Sequence, residues 1–177
     1  SQPKPGKGSG EKIKDVNIMD FIKLSKISDW RKKLDDSWLA PFQLDGHRWN
    51  SVEHYYLGAQ FKKGFPDFYL QFSLDKDTEI SKDIALARIA GSKTGKAKNN
   101  VLRDKKIVID PDVYQVGVNP RNREERASAL EAKFSQNLDL RQVLIETKRS
   151  KLVKFVRGRE SEPDISLMKI RRNIKVV

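Results

Sequence analysis

The chain has no cysteine, two histidines and two methionines in 177 residues. Without cysteine there are no disulfides, thiolate metal centres or cysteine nucleophiles. The two histidines, His47 and His54, do not stand in the H-E-x-x-H register of zinc hydrolases, so no metal or other cofactor is expected. No credible Ser–His–Asp arrangement can be named. Apolar runs stay well short of the roughly 20 residues that span a bilayer. The first residues show no secretory leader pattern. The expectation is an intracellular protein outside the membrane.

Charge is what the sequence has in excess. Lys and Arg exceed Asp and Glu by 36 to 24, a net charge of +12, which favours anionic partners: a nucleotide-like ligand, or nucleic acid. Three Trp, four Tyr and eight Phe suffice to anchor one core. Residues 1–12, "SQPKPGKGSGEK", read as a flexible basic arm, and residues 13–177 as one domain. Residues 13–24 mix their apolar periods and fix neither helix nor strand.

Further on, residues 65–74 carry Phe65, Phe68, Tyr69 and Phe72 at helical spacing and read as a core-facing helix with Pro66 near its first turn, where proline is favoured. Ser81 can cap a helix over 82–90 that stops at Gly91. "KKIVID" reads as a strand ended by Pro111, and "KLVKFV" as a strand or short buried segment. Helices are expected over about 121–135, after Asn137 or Asp139, and over 164–175. The pattern is α+β, rich in helix, with a small sheet.

The densest stretch is "DGHRWNSVEHYY", residues 45–56. Asp45-Gly46 between short alternating runs signals a hairpin, because both turn residues must tolerate positive φ. Asn50 followed by Glu53 resembles a capping box that opens a helix. Glu53 therefore has two readings. It serves as a helix cap, or it is a carboxylate kept ionised by the helix N-terminus and suited to orient water or stabilise a ribosyl cation. "GKGSGE" and "GSKTGKA" fail the dinucleotide and P-loop spacings. In the second, backbone N–H groups with Lys93 and Lys96 remain suited to a diphosphate, beside the plainer reading of a solvated basic loop.

"APFQLDGHRWNSVEHYY" resembles the signature of the NADAR family, named for NAD and ADP-ribose. "ALEAKFSQNLDLRQVLIETKRSKLVKF" and "SLMKIRRNI" are similar to later blocks of the same family, and the match runs in order over about 30–175. "PGKGSGE", "KKGFPDFY" and "AGSKTGK" look most like versions from large DNA viruses, a resemblance that adds a virion to the expected locations. The resemblance implies a helix-rich α+β fold around one pocket and an N-glycosidase acting on phosphorylated riboflavin intermediates or on ADP-ribosylated guanine. The family's acid falls on Glu53. Asp36, His54, Gln60, Lys62, Lys93 and Lys96 are the candidate ligand-binding residues around it.

The sequence departs from that pattern at several positions. Asp36 stands where the family has Asn, Leu57 where it has Gln, and Gln60 where it has Lys. "GSKTGK" replaces a Gly-Arg, and Lys154 replaces a Glu. The family's Trp before the A-K-F helix has no counterpart, with Asp112 or Tyr114 nearest. These exchanges remove amide, charge and stacking groups from the expected pocket. Two functions therefore stand side by side: an N-glycosidase centred on Glu53, or a silent module of the same fold that binds nucleotide or nucleic acid or serves in a larger assembly. A general nucleic-acid binder unrelated to glycosidases fits the ordered motifs least.

Overall fold

The computed structural model describes residues 21–117, 120–154, 158, 160 and 162–174. The basic arm and most of the ambiguous segment after it lie outside these residues. The chain divides into two compact units, one formed by residues 39–133 and the other by the segments before and after them.

The 39–133 unit starts with a hairpin of β1 (Phe42–Leu44) and β2 (His47–Trp49), paired Phe42 to Trp49 and Leu44 to His47. Asp45 and Gly46 both take positive φ, 55° and 76°, as the Asp-Gly signal requires. The hairpin runs into α3 (Val52–Ala59). Then come α4 (Pro66–Leu70) with Pro66 in its first turn, α5 (Glu79–Lys82) and α6 (Ile84–Ala90). A second hairpin joins β3 (Lys96–Ala97) and β4 (Asn100–Val101). The long α7 (Arg121–Gln136) begins in this unit.

The unit's core is aromatic. Trp49 is fully buried and meets Tyr55 edge-on and Tyr69 at a tilt, each 5.0 Å between centroids. Phe61 stands edge-on to Phe68 at 4.9 Å and stacks on Phe72 at 6.1 Å. Such offset and T-shaped contacts add to the burial of each ring.

The other unit holds α1 (Ile22–Ser25), α2 (Trp30–Leu34), α8 (Leu138–Glu146), β5 (Val153–Lys154), β6 (Glu162–Pro163) and α9 (Ile165–Asn173). Leu24, Leu34, Leu140, Leu144 and Leu167 are buried in it. Arg171 on α9 donates to Thr147 Oγ1 at 2.9 Å and to the Ser150 carbonyl at 2.7 Å, which closes the carboxyl end of α8.

The helix-rich α+β expectation holds, and the small sheet resolves into three two-stranded antiparallel pairs among the described residues. Three local expectations change. Ser51, not Asn50, caps α3: its Oγ accepts from the His54 N–H. Ser81 lies inside α5, and Asp83 caps α6 by accepting from the Ala85 and Leu86 N–H groups. "KKIVID" forms no strand. Lys106 N–H and Ile107 N–H fold back onto Asp104. The Asp110 carboxylate accepts from the Lys63 and Gly64 N–H groups. The segment is consumed by side-chain and turn bonds instead of a ladder.

Gly58 sits inside α3, where a Cβ would lie 2.8 Å from Phe72 Cβ and 3.1 Å from the Tyr69 carbonyl oxygen. Gly→Ala within a helix ordinarily stabilises by about 0.5–1 kcal/mol. Here the overpacking term wins, and Gly58→Ala is expected to lose about 1–3 kcal/mol in urea unfolding. An unchanged or raised unfolding midpoint would remove close packing as the reason for this glycine.

Candidate functional site

Ser51 and His54 form a reciprocal pair at the start of α3. The His54 N–H reaches Ser51 Oγ at 3.1 Å, and Ser51 Oγ lies 2.8 Å from His54 Nδ1. The other ring nitrogen, Nε2, faces the Ile80 carbonyl at 3.0 Å. A carbonyl only accepts, so Nε2 carries the proton and the Ser51 hydroxyl donates to Nδ1. Burial lowers the His54 pKa, against a smaller opposing effect of the Ile80 and Asp83 carbonyls. His54 is thus a neutral imidazole committed within the protein.

This cap puts Glu53 in the first turn of α3 with its side chain nearly buried, aimed at α6. Arg88 binds it bidentately: Nε to Oε2 at 2.6 Å and Nη2 to Oε1 at 2.8 Å. The Arg88 side chain is 54% exposed and the Glu53 side chain 12%. The pair therefore has one wet end and one dry end. Nothing in the sequence flagged Arg88, which lies 35 residues from its partner.

One helical turn beyond Glu53, Leu57 lines a cavity of about 810 Å³. Its wall brings together Gln60, Lys93 and Lys96 from the candidate set, with Arg103, Lys105, Ile107 and Tyr114. Glu53 is not among the lining residues. Gln60 is buried. Its Nε2 donates to the Leu57 and Gly91 carbonyls, each at 2.9 Å, and its Oε1 accepts from the Tyr114 hydroxyl at 2.5 Å. Gln60 thereby ties α3 to the end of α6 and holds the hydroxyl of Tyr114, a residue that is 62% exposed.

Lys62 takes a different place. Its ammonium donates to Asp45 Oδ2 at 2.8 Å and to the Tyr55 hydroxyl at 2.7 Å, and pairs with Glu125 Oε2 at 2.9 Å. Tyr55 and Tyr69 also donate to Asp45 Oδ2. The network fastens the β1–β2 turn to α3, α4 and α7. Burial raises the Asp45 pKa, but the hydrogen bonds from Lys62 and Tyr55 with the Lys62 charge outweigh it, and the net shift is downward. Burial, then the Asp45 carboxylate, push both tyrosines up. Asp36 follows α2 in the other unit and is half-buried.

A second ionic knot lies at the start of α7. Arg121 donates to Asp110 at 2.9 Å, to Asp112 at 2.6 Å and to the Ala59 carbonyl at 2.8 Å. Hydrogen bonds from Lys63 and then Arg121 hold the Asp112 carboxyl down to about 2. Among the described residues, no three His, Asp or Glu side chains gather as a metal site. No helix of the described residues is long and apolar enough to cross a membrane.

Because Asp45 releases its proton more readily folded than unfolded, its contribution to stability is full above the ordinary aspartate pKa. It is lost as pH falls through the lowered folded value. Acid unfolding monitored by tryptophan fluorescence should therefore be less steep in Asp45→Asn than in wild type; identical slopes would show that Asp45 carries no part of it. Lys62→Met leaves Asp45 and Glu125 without their shared cation. About 1–2 kcal/mol of stability should go with it, discounted for the partial exposure of the pair.

No protein-family model matches the chain, and no curated protein matches it. Among solved structures it is similar to the NMR structure of the E. coli protein YbiA. Sequence identity is 22% and the TM-score 0.55, over 82% of this chain and 79% of that one. YbiA is a NADAR-family protein, and the likeness shows that this chain shares its fold.

Proposed function

We propose that the chain is a NADAR-like N-glycosidase. It would bind an N-ribosyl phosphate, of ADP-ribose or riboflavin-precursor type, and hydrolyse the bond between the anomeric carbon and the base nitrogen. The observation that carries this reading is Glu53. It is a nearly buried carboxylate, held bidentately by Arg88, one helical turn from a cavity that Lys93, Lys96 and Lys105 line. As the C–N bond breaks, its electron pair leaves with the nitrogen and positive charge develops on the ribose. A preset carboxylate stabilises that charge and orients the water that adds to the same carbon. The water's oxygen ends on the sugar, and one of its protons ends on the departing base.

Arg88 has a part in the same scheme. Its side chain is 54% exposed, and an arriving phosphate competes with Glu53 for the guanidinium fork. Ligand binding then frees the carboxylate at the moment it is needed. The lysines supply the attraction, in keeping with the net charge of +12.

One observation favours a second reading. Both Glu53 carboxylate oxygens are engaged by Arg88, and Leu57 occupies the cavity wall where the family pattern has an amide. A silent module would look like this: a pocket that holds a nucleotide or a stretch of nucleic acid, or a subunit of a larger assembly such as a virion, without cleaving anything.

ADP-ribose titration, combined with release of ADP-ribose from ADP-ribosylated guanosine, separates the two. Wild type should bind and release. Glu53→Gln should bind with similar affinity and release about 10²–10³-fold more slowly. Binding by both proteins with no release from either would favour the silent module.

A further inference from the structure

Arg103 is a buried arginine that pairs with no acid among the described residues. It is 6% exposed, and its guanidinium stands 5.0 Å over the Phe61 ring. Burial lowers its pKa. The guanidinium spends its donors on main-chain carbonyls. Nε donates to Ile107 at 3.0 Å, Nη1 to Ala90 at 2.7 Å and Ser92 at 2.6 Å, and Nη2 to Lys93 at 2.9 Å. Four of the five N–H groups of a guanidinium are thereby used.

This clamp decides which way the turn after α6 faces. In a trans peptide the carbonyl and the following N–H point in opposite directions, and no peptide bond here is cis. The Ser92 and Lys93 carbonyls point at Arg103. The Lys93 and Thr94 N–H groups therefore point away from it. Neither has a partner among the described residues. Gly95 lets the turn pass close to the clamp, since it has φ +71° and a Cβ there would lie 2.5 Å from Arg103 Cβ.

The side chains around the turn agree with its backbone. Lys93, Lys96 and Lys105 line the adjoining cavity and are exposed. None of the three joins an ion pair among the described residues. The one acid on that wall, Asp104, accepts from the Lys106 N–H at 2.8 Å. Successive N–H groups turned outward in a bend form an anion-binding concavity. Three uncompensated ammonium groups exceed what a single phosphate, with about two charges, neutralises.

We propose that the turn over residues 92–96 is a diphosphate-binding loop. Arg103 presets it by holding the Ser92 and Lys93 carbonyls, which leaves the Lys93 and Thr94 N–H groups and the Lys93 and Lys96 ammoniums, with that of Lys105 on the same wall, to the ligand. The loop deepens the proposed glycosidase reading by selecting ligands of ADP-ribose type over monophosphates, and Arg103 is a positioning residue in it.

The test is an amide NMR titration of the full chain with inorganic pyrophosphate, and with orthophosphate beside it. The Lys93 and Thr94 amide signals should shift and saturate with pyrophosphate, at an affinity about ten-fold above that for orthophosphate. Replacing Lys93 and Lys96 together by Gln should weaken pyrophosphate binding about ten-fold or more, whereas Lys32→Gln with Lys33→Gln, the same loss of charge elsewhere, should not. Arg103→Lys keeps the charge but cannot hold four carbonyls, and should abolish the two amide shifts. If that variant does not fold, the lysine pair still decides. Shifts confined to other lysines, or equal affinity in the two double variants, would overturn the loop.

Neither measurement involves bond cleavage. Pyrophosphate binding at the turn without ADP-ribose release overturns the glycosidase reading alone. Release without any response at Lys93 and Thr94 overturns the loop alone.

Discussion

The Ser51–His54 pair is the contact on which the candidate site depends. Capping is worth about 1 kcal/mol, but its larger effect here is geometric. A helix advances about 100° per residue, so the cap fixes the direction of every side chain on α3. From that register Glu53 meets Arg88, Tyr55 meets Asp45, Leu57 lines the cavity and Gly58 accepts Phe72. A cap one residue earlier would turn all four contacts away together. His54 contributes as a neutral ring with both nitrogens engaged, which makes it part of the helix start.

Acids in the 39–133 unit are largely spent on internal partners. Asp45 and Glu125 share Lys62, Glu53 has Arg88, and Asp110 and Asp112 share Arg121. Internal pairing uses up negative charge where elements must be fastened. The surplus of the +12 chain is then carried in part by lysines at the cavity wall, where it acts on whatever approaches from solvent. Being exposed, that attraction weakens as salt rises, while the internal pairs feel salt much less.

What could be read from the sequence was local. Asp45-Gly46 gave the hairpin because its backbone demand is written in two residues, and Pro66 marked a helix start for the same reason; Gly91 does end α6, but with φ −89° it makes no such demand. The start of α3 was misplaced by one residue because Asn50 and Ser51 are both good caps, and Ser51 gains its advantage from the side chain of His54. The strand expected at "KKIVID" was overruled by Asp104 and Asp110, which draw on N–H groups of their own turn and of Lys63 and Gly64. Arg88, Arg103 and the Tyr55–Asp45–Lys62 network had no signal at all. Their partners lie up to 70 residues away in the chain, and no short-range spacing encodes such meetings. The family motifs pointed to Glu53, but they did not carry the arginine that holds it.

Asp45 satisfies two demands that pull on its identity from opposite sides. Its backbone, at φ 55°, is most comfortable as glycine. Its carboxylate gathers Tyr55, Lys62 and Tyr69, which glycine would leave without an acceptor. Asparagine tolerates the backbone but brings no charge to offset Lys62. The position is therefore narrow in its choice of residue, and it ties the drift of the turn to the drift of the helices. A lineage that loses the acid at 45 leaves Lys62 with Glu125 as its one acid in this network, so the two positions are expected to vary together among descendants of this chain.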